Sequence, residues 1–337
     1  MIRFELGVED LAWTRFSISP LAETVLSLLA VSDPSFHALH LPWVRSVQPR
    51  LDGLDTSLLL ALVGPTRGRE RFVSGPSRAL ADFLTPHPTR FAPRFEDELT
   101  IVRATAPAIV RRDLVATHAP DPVPDALAAV TRRGTRGVAS LRDRICDELE
   151  RYHEVAVAPS WPDMRVVLEA DTTYRARQLA LGGARALFAD MHPNLRWRDG
   201  VLEIEEMISE NTIRAAGRGL LLMPSIFAVK PAPPLVPEEP PALSYPSRGI
   251  ATLWAPPPPA PSSALASLIG APRAQLLDML AEPLPTIELA RRLKVTPSAV
   301  SQHLKVLHAT ALVTRARDGR QVLYRRTTLA DELAGRA

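Results

Sequence analysis

Cysteine is nearly absent from this chain of 337 residues, since Cys146 is the only one. A lone thiol cannot form an intrachain disulfide, which fits a reducing compartment, and it cannot build the thiolate clusters that bind soft metals. His37 and His40 have a ligand-like spacing but no nearby cysteine or obvious acidic partner. His303 and His308 are five residues apart, which does not align them on one helical face. We therefore expect no metal site and interpret Cys146 as a structural residue.

Long apolar runs are missing as well. The longest ones, such as LLLALVG at residues 58–64, are far shorter than the roughly 20 residues that a membrane-spanning helix needs. The first residues, MIRFELGVEDLAW, contain acidic side chains and no apolar segment of the signal-peptide type. We therefore expect a cytoplasmic protein with no membrane partner.

The common catalytic motifs are also missing. The chain has no P-loop, no glycine-rich dinucleotide turn, no nucleophile elbow and no HExxH sequence. The glycine-containing turns at 73–77 and 217–222 lack the required spacing. We therefore expect no enzyme, no catalytic residues and no cofactor. An alternative stays open, in which the N-terminal region is a small-molecule sensor or enzyme and carries the main activity.

Proline is abundant, with 33 residues, and it marks the division of the chain. Four consecutive prolines within 256–263 cannot be helical and favour a stiff spacer. We therefore predict an N-terminal domain at 1–255, a proline-rich linker at 256–263 and a C-terminal domain at 264–337. A second proline-rich segment, at 231–241, is interpreted as a loop of the first domain.

Hydrophobic residues make up 46% of the chain, which permits a large core. The pattern of the N-terminal region predicts helices followed by a late β-element. Ser19 and Pro20 are a helix cap and a first-turn proline. Helical spacing continues within 95–117, 140–156 and 163–190. Further on, Asp199-Gly200 between alternating runs predicts a hairpin, and 218–229 and 244–254 look like strands. The predicted fold class is α+β, mostly helical in this domain.

The most informative stretch lies near the C-terminus, between residues 286 and 327. A helix capped by Thr286 leads through a turn to Thr296, which caps a second helix that begins at Pro297 and ends near Ala309. An alternating strand, a turn at Asp318 and a return strand follow. This order predicts a winged helix-turn-helix, a module that places one helix in the DNA major groove.

The second helix has two distinct faces. Val300, Leu304 and Leu307 repeat at the spacing of a buried stripe. The opposite face is polar, His303 lies at the flank of the stripe, and these residue types suit base edges and phosphates. The polar residues of this face are Ser298, Ser301, Gln302 and Lys305. Three arginines at the following hairpin, Arg315, Arg317 and Arg320, are suited to phosphates or the minor groove.

Positive charge is concentrated in this part of the chain. Residues 271–337 hold 11 Lys and Arg and 6 Asp and Glu, a net charge of +5, whereas the preceding 270 residues sum to −2. Within 287–326 there are 9 cations and 2 acids. A localised basic excess is typical of polyanion binding and predicts salt-dependent affinity.

The sequences ELARRL, TPSAVSQHLKVL and ALVTRARDGRQVLYR, in this order, resemble the winged-helix domain of ArsR-type bacterial regulators. The resemblance implies that Thr296, the polar face, His303 and the hairpin arginines contact double-stranded DNA. It also implies a transcriptional regulator, by family expectation a repressor. Because a single winged helix buries limited surface and makes few base contacts, we expect a homodimer on paired half-sites. We expect the N-terminal domain to supply dimerisation, sensing of an unidentified small-molecule effector, or both. Ala311 departs from the pattern, which usually has glycine there, so we expect the local turn to differ.

The N-terminal region is similar to actinobacterial regulators that carry a long N-terminal domain. The segments RFELGVEDLAWTRFSISPL, LPWVRSVQPRL, YRARQLALGGARALFADMHP and GRGLLLMPSIF carry this resemblance. It suggests that nearly the whole chain has one known arrangement but implies no particular ligand. A winged helix can also serve protein interaction, and that alternative stays open.

Overall fold

The chain forms two compact units, Met1–Trp254 and Ala255–Ala337. The computed structural model describes residues 1–65, 79–207, 210–233, 240–254, 263–318 and 321–333. The turn at 73–77 lies outside the described residues, as does the predicted linker up to residue 262. Among the helices of the described ranges, none has the length and apolarity that crossing a bilayer requires.

The first unit contains a large helical layer. Its α2 begins as the sequence predicts, because Ser19 accepts the Ala22 N–H at 2.9 Å and Pro20 occupies the first helical position. Leu21 and Val25, four positions apart and therefore on one face of the helix, are both buried. The helices are α1 (Val8–Ala12), α2 (Pro20–Ser32), α3 (Leu41–Leu51), α4 (Ser57–Ala61), α5 (Phe95–Ala104), α6 (Pro107–His118), α7 (Ala129–Arg132), α8 (Thr135–Tyr152), α9 (Trp161–Ala189) and α10 (Ile250–Leu253).

The core of the helical layer lies around α2, α3, α5, α6 and α8 and includes Trp43 and Tyr152. Cys146 is buried in this core, as the structural interpretation expects. Burial raises the pKa of its thiol to about 11, so the reactive thiolate is disfavoured at neutral pH.

Two small sheets complete the first unit. The strands are β1 (Ile2–Glu5), β2 (Arg15–Phe16), β3 (Leu195–Arg198), β4 (Val201–Ile204), β5 (Asn211–Arg214), β6 (Leu221–Ser225) and β7 (Ala242–Pro246). One sheet has the order β3-β4-β1-β5 and the other, which is parallel, has the order β2-β6-β7. The predicted hairpin is confirmed, since Asp199 and Gly200 have φ of 48° and 83° between β3 and β4.

The β-element is not confined to the end of the unit, so the prediction of a late β-element is incomplete. β1 lies between β4, with which it is antiparallel, and β5, with which it is parallel. The predicted strand at 244–254 is also wrong beyond Pro246, because residues 250–253 form α10. The α+β fold class is nevertheless confirmed.

The second unit is a winged helix-turn-helix, as the sequence pattern predicts. Its elements are α11 (Ser263–Ile269), α12 (Ala271–Met279), β8 (Leu284–Pro285), α13 (Thr286–Leu293), α14 (Pro297–Ala309), β9 (Val313–Asp318), β10 (Gln321–Arg326) and α15 (Thr328–Leu333). Its sheet has the order β8-β10-β9. The core joins α12, α13, α14 and β9 through residues such as Leu277, Leu289 and Leu304.

The start of α13 differs from the sequence-based prediction. Thr286 is the first helical residue rather than the cap, because Pro285 occupies the N-cap position and makes no side-chain cap hydrogen bond. Ile287 is 67% exposed and does not join the core, whereas Leu289 and Ala290 are buried. The short β8, which pairs with β10 immediately before α13, shifts the helix start by one residue.

Candidate nucleic-acid interface

The turn between α13 and α14 sets the direction of α14. Lys294 ends α13 in the left-handed region, with φ of 54°, and the Val295 N–H donates to the Ala290 carbonyl at 3.0 Å. Thr296 then caps α14, since its hydroxyl oxygen accepts the Ala299 N–H at 3.3 Å. Pro297 occupies the first helical position, where its missing N–H costs nothing.

One stripe of α14 is buried in the unit. Val300, Leu304 and Leu307 are at most 1% exposed and pack in the same core as α12 and α13. Burying this stripe anchors the helix by hydrophobic contact, which amounts to about 1.5–3 kcal/mol for each fully buried side chain. The helix therefore presents its opposite face outward.

The outward face carries the predicted contact residues. All four side chains are exposed, and none has a hydrogen-bond or ion-pair partner among the described residues; they are Ser298, Ser301, Gln302 and Lys305. Their donors and acceptors are therefore satisfied by solvent in the isolated chain and are available to a ligand. His303 is half-buried at the flank of the stripe.

The wing presents two of the three predicted arginines. In the antiparallel pair of β9 and β10, Arg315 lies opposite Tyr324 and Arg317 lies opposite Val322. Because side chains alternate along a strand, both arginines project from one face of the wing, and both are exposed. Arg320 lies outside the described residues.

Other cations of this segment serve the fold. Arg291 and Arg292 both pair with Glu288, at 3.0 and 2.6 Å, and hold its carboxylate on α13. Arg326 pairs with Asp331 and also donates to the Leu277 carbonyl. The charge counted from sequence therefore overstates the cations that are available to an external ligand.

Arg325 is exposed but lies opposite Thr314 in the register. Residues 314 and 315 project from opposite faces of β9, so Arg325 lies on the other face of the wing from Arg315 and Arg317. It is therefore a suitable control for effects of charge alone.

Sequence reasoning missed two exposed apolar residues on α14. Val306 is 40% exposed, and Ala309 is exposed at the end of the same helix. Their positions around the helix, away from the buried stripe, could be read from the sequence, but only polar and charged residues were predicted to contact DNA. Both lie toward the face that carries Gln302.

The turn after α14 contradicts the expectation that alanine would change it. Ala311 adopts the left-handed conformation, with φ of 59°, that glycine normally supplies there. Two contacts hold it in place: the Leu312 N–H donates to the Leu307 carbonyl at 2.9 Å, and the Thr327 hydroxyl donates to the Ala311 carbonyl at 2.9 Å. The first is the local bond that closes the end of a helix, and the second is a tertiary bond from Thr327 that fixes the Ala311 carbonyl despite the Cβ.

The first unit has a cavity of about 240 Å³ between the segment 54–59 and the end of α8. Its lining is mixed, and the carboxylates of Asp55 and Glu148 share it with Arg151 and the buried Tyr152. Desolvation raises the pKa of Glu148, and the nearby Arg144 opposes that rise. Elsewhere in this unit, His40 accepts the Trp254 indole N–H at 3.1 Å, and Phe188 packs against Trp197 in the core.

The comparisons with known proteins identify one segment. No curated protein and no solved structure is significantly similar to the chain. Residues 272–315 match the family model described as "Bacterial regulatory protein, arsR family", and this match spans α12, α13, α14 and the first residues of β9. The second unit of this chain therefore contains an ArsR-family regulatory domain, which supports a role in DNA-binding transcription regulation.

Proposed function

We propose that the protein is a sequence-specific transcriptional regulator whose α14 lies in the major groove of double-stranded DNA. The observation that carries this proposal is the exposed polar face of α14. Its hydrogen-bonding groups have no partners among the described residues, and it lies directly opposite a fully buried stripe. A glutamine such as Gln302 can bond adenine in two places, and serines can bond either base edges or phosphates.

Lys305, Arg315 and Arg317 are proposed to bind phosphates. All three are exposed, and the two arginines share one face of the wing. Phosphate contacts position a protein on the duplex, while contacts to base edges supply the sequence preference. DNA contacts by Thr296 and His303 on α14 and by Arg320 on the wing are further parts of the same proposal.

A homodimer is proposed as the binding species. A single winged helix buries limited surface, and two copies on half-sites about 34–36 Å apart gain affinity and specificity together. Repression by occupation of a promoter is the proposed outcome, and the first unit is the proposed place for dimerisation and for a small-molecule effector.

The alternative assigns the main activity to the first unit, as a sensor or an enzyme. The regulator proposal has the stronger support, because the exposed polar face of α14, opposite its buried stripe, carries it. Thermal-shift screening with metabolites, followed by product analysis, separates the two: turnover supports an enzyme, and stabilisation coupled to DNA affinity supports a sensor.

The proposed function is tested by fluorescence anisotropy on the DNA upstream of the protein's own gene, against scrambled DNA at two salt concentrations. Lys305→Ala and Arg317→Ala should weaken binding to both DNAs and flatten the salt slope by about 0.9 for each lost contact. Gln302→Ala should cost about 1–3 kcal/mol at a single base position.

Arg325→Ala is the matched control, since it removes an exposed charge from the other face of the wing. It should change neither the salt slope nor the sequence preference. Equal affinity of the wild-type protein for both DNAs, unchanged in every variant, would remove the regulator assignment for this promoter.

A further inference from the structure

The outward face of α14 changes its chemistry along the helix. Its first two turns carry hydroxyl and amide groups, on Ser298, Ser301 and Gln302. Beyond Lys305, the exposed residues nearest to the direction of Gln302 are the apolar Val306 and Ala309. At about 100° per residue, Val306 lies about 40° from Gln302 around the helix axis and Ala309 about 20°. The face therefore combines a hydrogen-bonding half with an apolar half.

Val306 does not contribute to the core. It is 40% exposed, whereas Leu304 and Leu307 beside it are at most 1% exposed. In the major groove, the apolar group that a base pair presents is the C5-methyl group of thymine. A branched aliphatic side chain can bury this methyl group, which neither serine nor lysine does as well.

We propose that Val306 recognises the C5-methyl group of a thymine next to the adenine that Gln302 reads. This inference rests on the proposed function of α14 as the recognition helix. Their separation of four positions corresponds to about 6 Å along the helix. Stacked base pairs are about 3.4 Å apart, so the thymine lies one or two base pairs from the adenine. The preferred half-site therefore contains a short A·T step with a defined spacing.

The experiment uses the full-length chain and DNA duplexes from which one methyl group at a time is removed. The protein first selects its site from a library of random duplexes. Each thymine of the enriched site is then replaced singly by deoxyuridine, which lacks only the C5-methyl group, and affinity is measured by anisotropy. One replacement, one or two base pairs from the adenine whose recognition is lost in Gln302→Ala, should weaken binding about fourfold, as expected for burial of one methyl group.

The protein variants assign this effect to its side chain. Val306→Ala should bind the thymine and deoxyuridine duplexes equally at that position, whereas Gln302→Ala should keep the difference. Val306→Thr, which has the same shape, should reduce it. Val115→Ala is the matched control, because Val115 on α6 of the first unit is also 40% exposed. Circular dichroism on heating verifies that each variant stays folded.

The outcomes separate the inference from the proposed function. An enriched site that tolerates deoxyuridine at every thymine, or the same sensitivity in Val306→Ala and the wild type, contradicts the role of Val306 alone. A library that yields no enriched sequence contradicts the proposed function and the inference with it.

Discussion

Ala311 occupies a backbone conformation that side chains with a Cβ rarely adopt. For alanine, this φ of 59° costs about 1–2 kcal/mol. Glycine removes that cost, but it is more flexible in the unfolded chain, which offsets part of the gain in stability. We expect Ala311→Gly to stabilise the second unit by roughly 0.5–1 kcal/mol. Amide hydrogen exchange of Leu304 and Leu307, buried in that unit, should slow about two- to fivefold.

A neighbouring alanine supplies the control for this substitution. Ala309 is the last residue of α14 and has helical backbone, where glycine is less favourable than alanine, so Ala309→Gly should speed the same exchange. If Ala311→Gly also speeds exchange, the left-handed turn is not strained in solution.

At the scale of elements, α9 contains a break that the sequence pattern alone does not reveal. Gly183, with φ of 63° and ψ of −159°, adopts a conformation essentially restricted to glycine. The break lets the chain fold back, so that Arg175 donates to the Leu187 carbonyl at 3.2 Å and pairs with Asp190. In a straight helix, residues 175 and 190 would be about 22 Å apart.

We expect Gly183→Ala to destabilise the first unit by about 1–3 kcal/mol, because alanine disfavours this backbone conformation. Denaturant unfolding followed by tryptophan fluorescence measures this, since all five tryptophans lie before residue 255. Gly53→Ala is the control: a Cβ at either glycine meets nothing within 4 Å, but only Gly183 has positive φ. Equal effects of both substitutions would contradict a backbone cause.

At the scale of the whole molecule, the pH dependence of stability is set by buried groups whose pKa values shift in opposite directions. Burial raises the pKa of Glu23 to about 7, against hydrogen bonds from Ser225 and from the N–H groups of Ile226 and Phe227. Burial likewise raises the pKa of Glu98 to about 7 and lowers that of His40 to about 4. Between pH 4.5 and 6.5 the carboxyl and imidazole contributions therefore oppose each other.

A carboxyl group whose pKa is raised on folding binds more protons in the folded state, so its contribution to stability falls as pH rises from 4.5 to 7. Glu23→Gln removes this loss while it keeps an oxygen acceptor for the two N–H groups. Relative to the wild type, the free energy of unfolding of this variant should rise by about 2 kcal/mol between pH 5 and 7. Tryptophan fluorescence at both pH values measures it. A Glu23→Gln variant that keeps the same difference from the wild type at both pH values would show that Glu23 does not titrate in this window.

Local sequence determined most of the second unit. Its cap at Thr296, the buried stripe from Val300 to Leu307 and the alternating strands each depend on residues within a few positions of one another. Such signals act through backbone conformation and helical or strand periodicity, which a sequence displays directly. The contact roles of the polar face and the wing stay predictions.

Only the tertiary structure decided which distant segments meet. Ile2–Glu5 pairs with strands about 200 residues later. Arg326 of β10 pairs with Asp331 and donates to the Leu277 carbonyl, so it serves the fold. Ala311 takes a glycine conformation because its surroundings hold it. The physical reason is that strand pairing, ion pairing and burial depend on groups brought together by packing. Short-range propensities carry no record of those partners.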